Sequence, residues 1–155
     1  MEYEINYSEI IDIVKEEISR EAAQAYSAEG VSLFDAIRWT SRDDNKSSRI
    51  MTEVLAVIKE QCNRFICCAD LSKDNVKGEY KSLVFTLQTT PRRTEGREMS
   101  IATLLRSLAV NTFLNKYFVD KNQTESAAKY GELAVADVKA LTALLYTKMP
   151  PVYPV

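Results

Sequence analysis

The side chains that could do chemistry in this 155-residue chain are limited first by the absence of histidine. Without histidine there can be no Ser-His-Asp triad, no Cys-His pair and no zinc or iron site that uses an imidazole ligand. Carboxylate, lysine, tyrosine and cysteine chemistry remains open, but we find no Gly-rich phosphate loop or Walker pattern. The sequence therefore predicts a protein that is not an enzyme and that has no cofactor.

Three arginines, Arg92, Arg93 and Arg97, fall in the stretch TTPRRTEGRE, which has the strongest loop character of the chain. Arginine side chains in a loop are suited to hold phosphate or a nucleic-acid backbone. Two glutamates in the same stretch dilute the positive charge, and no aromatic residue is interleaved to stack on bases. A solvated loop is the alternative that we favour, and a contact with a partner remains the second.

Asp137 lies by helical angle within the apolar stripe of the last predicted helix, where a carboxylate needs a partner. Arg106, on an otherwise apolar helix, is the candidate. We predict a structural ion pair between Arg106 and Asp137 rather than a catalytic acid, because no second acid or metal cluster joins them.

The three cysteines, Cys62, Cys67 and Cys68, are placed on one predicted helix. Adjacent residues of a helix point about 100° apart, so these thiols cannot chelate a metal together. We expect Cys62 and Cys68 to be buried as small apolar residues, with Cys67 nearly opposite. The prediction for metal ligands is therefore none.

Four long segments with helical periodicity are the elements that would position these residues. They run from Asn6 to before Gly30, from Thr40 to about Asp70, from Ser100 to Val119 and from Asn122 to Met149. A short helix, from Leu33 to Trp39, is predicted to dock against the core through Trp39. The central helix, from Ser100, is apolar on all sides, which is typical of a helix wrapped by other elements. A second chain is the alternative cover for its Phe113 and Tyr117.

Residues 81–88, KSLVFTLQ, alternate apolar and polar side chains as a strand does. A lone strand leaves its backbone groups unpaired, so a partner is needed. The candidates are the N-terminal EYEI, a cryptic second strand or another protein chain. The C-terminal PPVYPV should be an extended tail, whose Tyr153 is a candidate partner contact.

Together these elements predict an all-α fold, a bundle of four main helices and one short helix with a minor extended segment near residues 81–88. Residues 1–149 would form a single helical domain and residues 150–155 an extended Pro-rich tail. The net charge of −2 gives no general attraction to nucleic acid or to a membrane. The N-terminus has no signal-peptide pattern and the cysteines are few, so we expect a cytoplasmic protein.

The second half contains SIATLLRSLAVNTFLNKYF, a polar turn and then ESAAKYGELAVADVKALTALLYTKMPPVYP. This pattern resembles small helical head-tail adaptor, or connector, proteins of tailed bacteriophages and prophages. The matching residues are Ala128, Tyr130, Leu145, Tyr146, Pro150 and Pro151. The resemblance covers roughly the last 55 residues, and no functional residue is carried over. It implies a non-enzymatic ring component of a virion, with portal and tail proteins as partners.

Two functions are thus predicted. The first is a structural or assembly protein, of phage type, that self-associates or docks on a larger complex. The second is a small helical binding or regulatory module that contacts nucleic acid or a protein through the loop from Arg92 to Arg97.

Overall fold

The computed structural model describes residues 2–73, 80–88 and 98–146 of the chain. Their elements in chain order are β1 (Glu2–Asn6), α1 (Tyr7–Gln24), α2 (Phe34–Ile37), α3 (Ser41–Gln61), β2 (Ile66–Lys73), β3 (Tyr80–Leu87), α4 (Glu98–Asp120) and α5 (Thr124–Tyr146). The fold is mixed α/β, so the predicted all-α bundle is wrong.

An antiparallel sheet with the strand order β1-β3-β2 is the feature that the all-α prediction missed. The predicted strand exists as β3, and it pairs on both sides within its own chain. On the β1 side, Tyr3 faces Phe85 and Ile5 faces Leu83. These apolar side chains share one buried face, because alternate residues of a strand point to the same side. The opposite face is polar, and there Ser82 Oγ donates to Glu4 Oε1 at 2.7 Å.

The third predicted helix ends at Gln61 rather than near Asp70, because the chain turns after Cys62 and continues as β2. The apolar residues Phe65, Ile66 and Ala69 fit a helical stripe and a strand almost equally well. Strand β3 has two edges, and β1 pairs with only one of them. The backbone groups of the other edge need a second strand, which a longer helix would not supply, so these residues form β2.

Helices α1 and α3 begin directly after Asn6 and Thr40, where the first and third helices are predicted to start, whereas the short helix predicted from Leu33 to Trp39 is confined to Phe34–Ile37 and has no side-chain cap. Asn6 precedes α1, and its side chain accepts from the backbone N–H of Glu9 at 3.2 Å. Thr40 precedes α3, and its backbone N–H donates to Asp43 Oδ2 at 2.9 Å. Each such bond satisfies a backbone or side-chain group that a helix start would otherwise leave unpaired.

Helix α4 is the centre of the helical layer, as the all-round apolar pattern predicts. From Ile101 to Phe118, Thr103 is the one exposed residue. Phe113 and Tyr117 are buried within this chain, so a second chain is not needed to cover them. Helix α5 returns antiparallel to α4 after a tight turn at Asn122, which has a φ of 59°. Asparagine tolerates this left-handed conformation better than most residues.

Candidate functional site

The predicted partner contacts Arg92, Arg93, Arg97 and Tyr153 lie outside the described residues. Their roles therefore stay predictions. The same holds for the tail of residues 150–155.

The predicted ion pair between Arg106 and Asp137 is replaced by two separate contacts. Arg106 Nη1 lies 2.7 Å from Glu9 Oε1 on α1, with both side chains partly exposed. Asp137 Oδ2 accepts from Ser107 Oγ and from Asn111 Nδ2, each at 2.8 Å. Neighbouring residues of a helix point about 100° apart. Because the side chain of Ser107 points toward α5, the side chain of Arg106, one residue earlier, points toward α1.

A polar seam thus joins α4 to α5. At one end, the neutral side chains of Ser107 and Asn111 donate to the carboxylate of Asp137. At its other end Asn115 Nδ2 donates to the carbonyl oxygen of Ala127 at 2.7 Å. Gly131 lies beside this amide, and a Cβ at that position would be 3.0 Å from Asn115 Nδ2. The missing side chain of Gly131 therefore allows the close approach of the two helices.

Trp39 packs as the predicted plug on the aromatic side of α4. Its ring stacks on Tyr117 with a centroid distance of 5.7 Å and on Phe113 at 6.1 Å. The indole Nε1 donates to Asp44 Oδ1 at 2.7 Å, and this hydrogen bond lowers the pKa of Asp44. The Lys15 ammonium lies 5.6 Å from the ring centroid. These contacts assign Trp39 to the core rather than to a partner surface.

Tyr130 carries the strongest concentration of ionisable groups around one side chain. Its hydroxyl lies 3.0 Å from Glu17 Oε2 and 3.2 Å from Glu21 Oε1, which ties α5 to α1. Burial raises the pKa of Tyr130, and the two carboxylates raise it further. Lys129 Nζ adds an ion pair to Glu21 at 2.8 Å. Tyr130 is 2% exposed, and its hydroxyl is engaged with carboxylates of α1, so these contacts hold α5 against α1.

The cysteines behave differently from one another once β2 replaces the end of the predicted helix. Cys62 is buried as expected, and burial raises its pKa to about 11. Cys67 is half-buried, whereas Cys68 is exposed, so the predicted burial of Cys68 is wrong. Cys68 pairs with Thr86 and so falls on the polar face of the sheet, while the register shift between Ile66 and Cys68 leaves Cys67 in a bulge. The described residues hold no group of three or more acidic or cysteine side chains arranged for a metal ion.

A cleft of about 680 Å³ lies between α1 and α3. Two pairs of its polar side chains are engaged with each other. Tyr7 donates its hydroxyl hydrogen to Ser47 Oγ at 2.9 Å, and Lys15 Nζ lies 3.4 Å from Asp44 Oδ1. These two contacts join α1 to α3 across the cleft.

The outer face of α5, defined as its exposed residues from Ala128 to Ala143, has few charged residues for the solvent side of a helix. Its members are Ala128, Lys129, Glu132, Leu133, Val135, Ala136, Lys139, Ala140 and Ala143. Val135 is 49% exposed and Leu133 is 43% exposed. The charged residues of this face are Lys129, before Gly131, and Glu132 and Lys139, after it.

The exposed sides of the other two long surface helices have the opposite character. On α1 the exposed residues are polar or charged except for Ala23, and on α3 they are so except for Ala56. A helix with one solvated face normally carries charged and polar residues there. The outer face of α5 therefore departs from the pattern that this same chain uses elsewhere.

None of the predicted site residues lies on this surface, which is opposite the buried stripe of α5. The signal is present in the sequence. Around Glu132 and Lys139, which lie opposite that stripe, the exposed positions are mainly alanines and Val135, where a solvated helix would have more charged residues.

A second apolar site lies where the first turns of α4 meet β1. Met99 is 86% exposed, and it borders a shallow cleft of about 340 Å³ lined also by Ile5, Ala102 and Arg106. One exposed methionine is a common surface feature, so this site is secondary to the outer face of α5.

No protein-family model matches this chain, and no curated protein or solved structure shows significant similarity to it. The resemblance to head-tail adaptors therefore stays a prediction based on the C-terminal residues. Within residues 2–73, 80–88 and 98–146, the helices are too short or too polar to cross a membrane.

Proposed function

We propose that the protein is a non-enzymatic assembly protein that associates with further copies of itself. The observation that carries this proposal is the apolar outer face of α5. Large apolar patches on soluble proteins mark interaction sites, because covering them removes apolar area from water. The exposed alanines of α5 form an apolar surface with Val135 on one flank and Leu133 on the other, about 160° apart around the helix, and Lys129, Glu132 and Lys139 interrupt it.

The head-tail adaptor function is the more specific form of this proposal, and only the C-terminal resemblance supports it. A strand that pairs with a neighbouring subunit was one alternative for residues 81–88. Strand β3 is instead paired on both sides within its own chain. The portal and tail partners, as well as the oligomer number, belong to this more specific form. A cytoplasmic location is proposed with it, because free cysteines such as Cys62 and Cys68 suit a reducing compartment.

The alternative, a module that contacts nucleic acid through residues 92–97, receives no support from a described residue. It remains a prediction whose test is salt-dependent binding of duplex DNA.

Sedimentation equilibrium tests the proposed self-association directly, over protein concentrations from about 10 µM to about 1 mM. We expect the average mass to rise with concentration. Val135→Glu should lower that mass at every concentration, because it places a charge in the apolar face. The matched control is Ala56→Glu on the exposed side of α3, which should behave as the unmodified chain does. A monomeric mass at the highest concentration would contradict the proposal.

A further inference from the structure

Three cationic side chains lie on one side of α3, and we call them the cationic stripe. They are Arg42, Lys46 and Arg49, and all three are exposed. Their spacing of four and then three residues places them within about 60° of one another around the helix, over a length of about 10 Å. The cationic stripe is on a different helix from the outer face of α5, so its function is independent of the proposed self-association.

The charges of the cationic stripe are not neutralised by ion pairs. Among the described residues, none of the three takes part in one. Two carboxylates of the same turns are engaged elsewhere. Asp43 is 5% exposed, and its Oδ1 lies 3.6 Å from Lys121 Nζ. Asp44 points to nearly the opposite side of α3, where it pairs with Lys15. The stripe is therefore available to an anion from another molecule.

Folding alone does not favour cations at these positions. Arg42 is in the first turn of α3, where the helix dipole favours acidic side chains. Arg42 and Lys46 are four residues apart, and Lys46 and Arg49 are three apart, so like charges are neighbours on the helix surface. Like-charge pairs at this spacing destabilise a helix. An anion bound across the stripe would remove this repulsion.

Glu53 limits the cationic stripe on its C-terminal side. It lies one turn after Arg49 on the same side of α3, and it is exposed. The stripe is thus about 10 Å long and contains three cations. One strand of a nucleic-acid duplex carries a phosphate about every 3.4 Å of helix axis. The three cations therefore match about three consecutive phosphates of one strand.

The residues around the cationic stripe suit a duplex backbone. Ser41 and Asn45 are exposed on the adjoining side of α3, and hydroxyl and amide side chains contact phosphate oxygens as arginine and lysine do. None of the exposed residues from Ser41 to Thr52 is apolar, so this surface has no side chain to enter the interior of a membrane. The same exposed residues include no aromatic side chain, which binding to single strands normally uses for base stacking.

We propose that the cationic stripe of α3 binds the phosphate backbone of a nucleic-acid duplex, without selecting a base sequence. Arg42, Lys46 and Arg49 each neutralise one phosphate. Three phosphate contacts are few, so we expect a dissociation constant on the order of 100 µM at about 50 mM salt. This surface is distinct from residues 92–97, through which the alternative function would contact nucleic acid.

Fluorescence anisotropy of a labelled DNA duplex of about 20 base pairs tests the proposal as the salt concentration is varied. Every chain also carries Val135→Glu, which removes the proposed self-association from the measurement. The logarithm of the association constant should fall with the logarithm of the salt concentration with a slope of about −2.7, as expected for three neutralised phosphates.

Arg42→Gln, Lys46→Gln and Arg49→Gln, made singly, should each change this slope to about −1.8, because each removes one phosphate contact. The variant with all three substitutions should show no binding at about 1 mM protein. Lys59→Gln is the matched control, because Lys59 is an exposed lysine of α3 outside the cationic stripe. It should leave the dissociation constant and the slope unchanged.

Two further measurements separate binding from a structural role. Glu53→Gln removes a carboxylate that repels phosphate, so it should lower the dissociation constant about twofold with the slope unchanged. In circular dichroism melting, the triple stripe variant should unfold at or above the temperature of the chain with an intact stripe, because it loses two like-charge pairs. A clear loss of thermal stability would indicate a structural role for the stripe and would count against the proposal.

The remaining outcomes decide what the stripe does. If the chain with an intact stripe does not bind the duplex at about 50 mM salt, or if the single substitutions leave the slope unchanged, the proposal is overturned. If Arg92→Gln and Arg93→Gln abolish binding while the stripe variants do not, the loop of residues 92–97 is the contact and the stripe is not. Binding to anionic phospholipid vesicles without binding to the duplex would also overturn it. These results are independent of the sedimentation test of self-association.

Discussion

Removing the carboxylate of Asp137 should destabilise the protein because Asp137 joins α5 to α4 through two charge-assisted hydrogen bonds. Asp137 Oδ2 accepts from Ser107 and Asn111 at 2.8 Å each. Hydrogen bonds to charged groups contribute about 1.5–3 kcal/mol each when shielded from water. Asp137 is half-buried, so water partly replaces the lost partner, and Asp137→Ala should lower the free energy of unfolding by about 2 kcal/mol in all.

Arg106→Ala should have a smaller effect, below about 1 kcal/mol, because its pair with Glu9 is exposed to solvent. The Arg106 and Glu9 side chains are 40% and 51% exposed. Urea unfolding followed by circular dichroism gives both values, with an unchanged m-value showing that the transition keeps its two-state character.

Double-mutant cycles then identify the partner of Asp137. Asp137→Ala combined with Asn111→Ala should show a coupling energy of about 1 kcal/mol or more, because each removes the same hydrogen bond. Asp137→Ala combined with Arg106→Ala should be additive within about 0.5 kcal/mol. A strong coupling between Arg106 and Asp137 would refute the structural assignment and restore the ion pair expected from sequence.

Three further outcomes are expected. Burial raises the pKa of Tyr117 above its ordinary value of 10.0, so its contribution to stability is complete below that pH and falls as pH rises above it. In alkaline urea titrations Tyr117→Phe should reduce the loss of stability by about 1.4 kcal/mol per pH unit, while the raised pKa values of Tyr130 and Cys62 account for a further part of that loss. Alkylation followed by mass spectrometry should modify the exposed Cys68 quickly in the folded protein and Cys62 only after unfolding; rapid modification of Cys62 would contradict its burial. Thermal melts should show that Gly131→Ala stabilises a chain that already carries Asn115→Ala by up to about 1 kcal/mol, but gives less or none of this gain when Asn115 is present, because the new Cβ displaces its amide.

Local signals in the sequence were sufficient for the starts of α1 and α3 and for β3. Asn6 and Thr40 have capping chemistry that depends on residues three positions away, and the alternation through Leu83 and Phe85 is a local property as well. Each of these features is decided within a few residues, which is the range over which sequence periodicity is informative.

Features decided by distant neighbours were not predictable in the same way. The segment of β2 has a stripe compatible with a helix, and only its pairing with β3 makes it a strand. Similarly, the helical wheel placed Arg106 and Asp137 on plausible faces, but it cannot say which helix lies on which side of α4. The alanines and Val135 of the outer face of α5 differ from the polar and charged residues at the exposed positions of α1 and α3, and this difference is visible in the sequence.

Concentration-dependent chemical shifts of the isotope-labelled protein test the proposed self-association most directly. Dilution from about 1 mM to about 50 µM should shift backbone amide signals from Ala128 to Ala143 and leave those of the exposed side of α3 unchanged. Shifts centred near Met99 and β1 would place the contact elsewhere on the molecule. An identical spectrum at all concentrations would contradict self-association through the outer face of α5.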